Sequence, residues 1–158
     1  MRMIKRKAYS LFEAVIVVSI MAVLAFVALP RLQWATLYRQ QSDTVARKIV
    51  TDLRRTRRLA ISDAAANTDG FELNVIKTKS FNGYEIVNRD TKKAVDSITV
   101  DSRIAFTCPS GQSFKFGPLG NLLSGSGTQI DVSAEGKSFT IMIVPATGAV
   151  KCVENWKD

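Results

Sequence analysis

The chain has 158 residues, a net charge of +8 and no histidine. Its length allows one modest domain plus an additional segment. The absence of histidine excludes Ser-His-Asp and Cys-His nucleophile arrangements and the common histidine metal sites. Two cysteines are too few for a structural zinc site or an iron–sulfur cluster made by this chain alone. The composition therefore predicts a protein that is not an enzyme and that holds no metal and no cofactor.

The N-terminal segment combines a basic start with a long apolar run. The first eight residues carry no acid and four cations, Arg2, Lys5, Arg6 and Lys7. The run from Leu11 to Leu29 has only Glu13 and Ser19 as polar residues. As a helix it is about 28 Å long, close to the ~30 Å hydrocarbon thickness of a bilayer. Because basic flanks stay inside, we expect a single-pass protein of the bacterial inner membrane, with a cytoplasmic N-terminus and a periplasmic C-terminal head.

Two ordinary interpretations fit this segment. One is a cleaved secretory signal, with Val23-Leu24-Ala25 as the cleavage site and Phe26 as the first mature residue. The other is a plain membrane anchor. Neither explains Glu13, because a carboxylate in lipid costs up to ~3 kcal/mol. Glu13 therefore indicates a function, unless its carboxylate simply reaches back to the cytoplasmic headgroups.

The residues around Glu13 form a more specific pattern. The stretch Lys7-Ala8-Tyr9-Ser10-Leu11-Phe12-Glu13 resembles the processing site of type IV prepilins and type II secretion pseudopilins. In that family a basic leader ends in a small residue, usually glycine, an aromatic residue follows, and a glutamate is fifth in the mature chain. Cleavage after Ala8 makes Tyr9 the first mature residue, Glu13 the fifth and Pro30 the twenty-second, where many members also have proline. Ala8 departs from the usual glycine but is its closest substitute in size.

The resemblance implies how the chain is processed and assembled. A prepilin peptidase cleaves between Ala8 and Tyr9 and N-methylates Tyr9, and an inner-membrane assembly platform adds the subunit to a helical filament of pilins or pseudopilins. The amine of Tyr9 in one subunit then lies near Glu13 of a neighbour, and their pairing cancels two charges that an apolar setting penalises. Glu13 and Pro30 are the residues that we expect to matter for filament assembly.

The residues after Pro30 predict a continuation of the helix. Pro30 offers no N–H to the carbonyl of Phe26, so the helix should kink or loosen there. Beyond it, apolar side chains recur on one side at helical spacing, namely Trp34, Tyr38, Val45, Ile49 and Leu53. The pattern predicts a single long helix from about Tyr9 to Ser62, with a membrane-spanning first half and an amphipathic second half.

The densest cluster of cations lies near the end of this helix and consists of Arg54, Arg55, Arg57 and Arg58. Guanidinium groups pair well with phosphate oxygens, so one interpretation is a contact to DNA during uptake. The other is a solvated helix face or a contact to acidic neighbours in a filament. Four arginines within five helical residues spread around the axis, so nucleic-acid binding is the alternative role and not the main one.

The rest of the chain alternates between strand-like runs and turns. Eight runs carry β-branched and aromatic residues: Phe71–Ile76, Tyr84–Val87, Ser97–Val100, Arg103–Thr107, Ser113–Phe116, Gln129–Ser133, Ser138–Val144 and Ala149–Val153. Short strands on short turns predict an antiparallel sheet, and a helix packed on it gives an α+β, pilin-like head. The stretch from Phe114 to Gly120 and the terminal Thr147-Gly-Ala-Val150 are similar to the GspH/FimT branch of the family.

The sequence thus divides into four segments. These are a basic leader (1–8), a transmembrane and filament-core helix (9–30), the amphipathic half of the helix (31–66) and an extracytoplasmic β-rich head (67–158). Outside the cytoplasm we expect a disulfide between Cys108 and Cys152. It closes a loop of about forty residues and contributes about 4 kcal/mol in the chain-entropy model. The alternative is two buried free thiols.

The function that these features predict is structural. The chain is interpreted as a minor pilin or pseudopilin that assembles through its N-terminal helix, in either a type IV pilus or a type II secretion pseudopilus. Two alternatives stay open: a DNA-binding minor pilin for natural transformation, and a secreted β-rich binding module with an ordinary signal peptide.

Overall fold

A computed structural model of the protein describes residues 11–28, 34–78, 81–134 and 136–156. Ala8, Tyr9 and Pro30, predicted to act in processing and assembly, lie outside these residues. Two helices, α1 (Leu11–Ala28) and α2 (Trp34–Ser62), precede eight strands: β1 (Phe71–Lys77), β2 (Asn82–Asn88), β3 (Ala94–Thr99), β4 (Ala105–Thr107), β5 (Ser113–Phe116), β6 (Gln129–Ala134), β7 (Lys137–Val144) and β8 (Ala149–Trp156).

The first helix belongs to a unit of its own, Met1–Trp34, separate from the unit Ala35–Asp158. α1 is apolar on all sides, and its described side chains, from Leu11 to Phe26, are all exposed. Glu13 lies in its first turn. The Ser19 hydroxyl donates to the carbonyl of Val15 at 2.8 Å, so its polar group is satisfied within the helix.

Two predictions about the helices are wrong. The single helix from Tyr9 to Ser62 is replaced by two helices, α1 and α2. Among the residues that the structure describes, no helix combines the length and hydrophobicity needed to cross a membrane. α1 has 18 residues, whereas a span takes about 20 consecutive apolar ones. This finding contradicts the predicted single-pass location in the inner membrane.

The strands form two antiparallel sheets instead of one. The first has the order β3-β2-β1-β5 and the second the order β4-β6-β7-β8. The division arises because β5 pairs with β1, far back in the chain, whereas its neighbour in sequence, β4, pairs with β6. The predicted α+β fold, with a long helix on one sheet, is therefore wrong, and the described chain is mostly β.

A single hydrophobic core joins α2 to both sheets. The helix contributes residues of one face, Ala46, Ile49, Val50, Leu53 and Ala60, all buried. In the same cluster lie Leu73 and Ile86 of the first sheet and Val132 and Ile141 of the second. Tyr38 and Val45 are partly buried against it. The amphipathic stripe predicted for α2 thus faces the core, which fixes the direction of every other side chain on this helix.

Candidate functional site

The surface of α1 is an uncovered apolar feature among the described residues. Leu11 is 83% exposed, Phe12 72% and Phe26 80%. Contiguous apolar surface of this kind usually marks an interaction site. Glu13 is the one charged residue on the helix, and no described residue forms a hydrogen bond or ion pair with it. A partner that covers α1 must therefore also supply a group for this carboxylate.

The arginine cluster at the end of α2 holds the helix to the sheets. The Arg54 guanidinium donates to the Val150 carbonyl at 3.3 Å, and that of Arg57 donates to the Gly120 carbonyl at 3.1 Å. Arg55 forms an ion pair with Asp96 of β3 at 2.7 Å. These contacts use three of the four arginines, on two sides of the helix.

Arg58 is the fourth member and is exposed. With Arg54 and Arg57 it lines a depression beside the β7–β8 turn, at Gly148-Ala149-Val150. Arg55 lies on the other side, against the first sheet. The four guanidinium groups therefore do not form one phosphate-binding row. A contact to DNA by this cluster stays a prediction.

A buried polar pair fastens α2 to the first sheet. The Tyr84 hydroxyl on β2 donates to the Asp52 carboxylate on α2 at 2.7 Å, and the two residues are only 1% and 7% exposed. Burial, and then the adjacent Asp52 carboxylate, raise the pKa of the Tyr84 hydroxyl above its ordinary value. The pair was not predicted from the sequence. The sequence feature that could have indicated it is an acid, Asp52, next to the buried helix face formed by Ile49, Leu53 and Thr56.

The two cysteines are free thiols, with Cys108 half-buried and Cys152 exposed. The predicted disulfide is absent because the strand order separates them. Cys152 lies opposite Ile141, Ile141 lies opposite Ile130, and Cys108 continues the β4 register next to Ile130. Three strand spacings of ~4.8 Å place the two cysteines about 14 Å apart. A disulfide needs a Cα–Cα distance below about 7 Å.

A groove of about 590 Å³ lies between α2 and β8. The α2 side chains that line it include Asp43, Arg47, Val50 and Arg54, and those of β8 include Val150, Cys152 and Glu154. The groove was not predicted from the sequence, because its existence depends on β8 lying at a sheet edge beside the helix. Within the described ranges, no three Cys, Asp or Glu residues are grouped as metal ligands.

Comparison of the chain with protein-family models, with curated proteins and with solved structures found no match. The resemblance of the N-terminal residues to prepilins therefore stays a prediction.

Proposed function

We propose that the protein is a non-catalytic structural subunit of a helical filament, of the minor pilin or pseudopilin kind, which joins its neighbours through α1. The observation that supports this proposal is the exposure of every described side chain of an apolar helix. A helix that is hydrophobic all round is normally buried. Since residues 35–158 form their own compact unit, α1 is the segment available for packing against other subunits.

Glu13 gives this packing its specificity. A carboxylate buried without a partner is heavily penalised, whereas a paired and well-oriented one is tolerated. Cleavage between Ala8 and Tyr9 by a prepilin peptidase creates a new amine one helical turn away in sequence. The amine of one subunit then neutralises Glu13 of the next, and only one axial register of adjacent helices brings the two groups together.

The test uses the full chain, expressed with its prepilin peptidase and partner pilins. We expect the mature protein to begin at methylated Tyr9 by mass spectrometry and to crosslink to its partners in cells. Glu13→Ala should reduce crosslinking at least tenfold, which about 1.4 kcal/mol of lost pairing would produce. Ser19→Ala is the matched control, because Ser19 bonds only within its own helix, and crosslinking should be unchanged.

Two results would contradict the proposal. One is a native protein that retains its first eight residues and never multimerises through α1. The other is a mature chain beginning at Phe26, which would instead identify a secreted β-rich module with a cleaved signal. Equal crosslinking of the Glu13→Ala and wild-type chains would remove the role of the carboxylate.

A further inference from the structure

Sheet edges offer unpaired backbone groups to other chains, and three of the four edges here are blunted in ways that proteins commonly use. β4 has only three residues. β5 has four, and its outer side is covered by the following loop, where the Leu123 amide donates to the Lys115 carbonyl. β3 meets β2 with an irregular register at Ile86/Val87, and its Asp96 is an acid on the face that turns towards α2.

The fourth edge, β8, carries the charged residues Lys151 and Glu154, but it is neither short nor covered by a loop nor irregular in register. It is eight residues long, contains neither proline nor glycine, and pairs with β7 without a register shift. Its residues from Lys151 to Asn155 are exposed. No described strand pairs with its other side. β8 is therefore the edge on which a further strand fits.

The pairing of β7 with its neighbours shows which residues of β8 point their backbone N–H and C=O groups outward. The Ile143 amide donates to the Thr128 carbonyl, away from β8. Because residues paired across antiparallel strands point their backbone groups in matching directions, its partner Val150 must point its own N–H and C=O outward. The Arg54 contact to the Val150 carbonyl agrees with this direction. The direction of the backbone groups alternates along a strand. The N–H and C=O groups of Cys152 and Glu154, two and four residues after Val150, therefore also face outward.

The groove beside this edge carries a surplus of positive charge. Its acids are already paired within the chain, Asp43 with Arg47 at 3.0 Å and Glu154 with Lys137 at 2.8 Å. Arg54 lines the same groove and has no carboxylate partner among the described residues. A second copy of β8 would bring Lys151 and a glutamate that is already paired with Lys137, and so no free acid for Arg54, whereas like charges disfavour pairing.

We propose that β8 is a docking edge for an extended segment of a partner protein that carries alternating acidic side chains. The segment adds a fifth strand to the sheet β4-β6-β7-β8, and its backbone pairs with the outward groups of Cys152 and Glu154. Its alternate side chains, which point to one face, enter the groove and meet Arg54. Main-chain bonds of this kind supply affinity, and the side-chain pockets supply specificity. This contact involves the β-rich unit only and does not depend on assembly through α1.

Hydrogen exchange on the full chain tests the docking edge directly. The probe is a short capped peptide in which glutamate alternates with valine, and the control is the same peptide with lysine for glutamate. We expect the glutamate peptide to slow exchange of the Cys152 and Glu154 amides at least tenfold and the lysine peptide to leave it unchanged. Protection elsewhere only, or equal protection by both peptides, would refute the docking edge.

A backbone variant tests the same edge by affinity. Cys152→Pro removes one outward N–H, and proline is tolerated on edge strands where that group faces away from the sheet. We expect it to weaken binding of the glutamate peptide about tenfold or more, whereas Cys152→Ser, which keeps the N–H, should bind like wild type. Equal affinities of the two folded variants would contradict the proposed pairing. Protection of the two amides that grows with protein concentration, without peptide, would show that a second copy occupies the edge instead.

Discussion

The hydrogen bond between Tyr84 and Asp52 should stabilise the fold strongly, and Tyr84→Phe removes it without changing the packing of the ring. Tyr84 is the only described side chain that donates to the Asp52 carboxylate. A hydrogen bond to a charged group contributes about 1.5–3 kcal/mol, and its loss leaves the acceptor unsatisfied. We therefore expect Tyr84→Phe to lower the free energy of unfolding by about 2 kcal/mol at neutral pH.

The same pair predicts a distinctive pH dependence. The pKa of the Tyr84 hydroxyl is raised by burial and by Asp52, so its protonated form is favoured in the folded chain. The stabilisation is fully present below the unfolded pKa of about 10 and is lost as the pH rises above it. Each pH unit removes about 1.4 kcal/mol. The difference in the free energy of unfolding between wild type and Tyr84→Phe should therefore vanish at about pH 11.5.

Urea unfolding followed by far-ultraviolet circular dichroism measures both effects. The control is Tyr38→Phe, because Tyr38 meets Arg103 through its ring, 4.7 Å from the guanidinium, and this contact survives the change. In Tyr84→Phe/Asp52→Leu both polar groups are removed, and the loss should be smaller than the sum of the single losses. The reasoning is refuted if Tyr84→Phe is as stable as wild type at neutral pH, or if the difference persists unchanged in strong alkali.

Two further predictions concern the turns and the thiols. Gly148 has φ +64°, and a Cβ there would lie 2.0 Å from the Gly120 carbonyl oxygen; Gly148→Ala should therefore cost about 3 kcal/mol in urea unfolding. The control Gly125→Ala, at φ +74° with open space around the added Cβ, should cost only about 1 kcal/mol. Burial raises the pKa of Cys108 to about 11. Iodoacetamide should therefore modify the exposed Cys152 first, without prior reduction, and peptide mass mapping would show this order. Modification only after reduction would indicate a disulfide.

The positions of the strands were readable from the sequence, because each depends on a local pattern. Every one of the eight predicted runs overlaps a strand, and Ser113–Phe116 matches at both ends. Alternation between buried and partly buried residues, as in Gln129–Ala134, is a property of the strand itself. The stripe of α2 was readable for the same reason. Local periodicity therefore predicted which segments pair, but not with which partners.

The order of the strands and the candidate site were not readable. The pairing of β5 with β1 joins residues 39 to 45 positions apart, and no local signal specifies it. The disulfide was predicted from the compartment alone, and two strands, β6 and β7, lie between Cys108 and Cys152. The groove beside β8 likewise cannot be predicted without the strand order, because that order places β8 at the sheet edge. The intramolecular roles of Arg54 and Arg57 also escaped notice, because their acceptors are backbone carbonyls that carry no sequence signature.

The contact between Arg54 and Val150 spans 96 positions, which has a consequence for biosynthesis. Ribosomes add about 5–20 residues per second, so β8 emerges about 5–20 s after the helix that it must hold. Throughout this interval the apolar face of α2 is not yet packed against β8. We expect the nascent chain to depend on chaperones, or on rapid translation of its last third, to avoid aggregation before α2 can pack against β8.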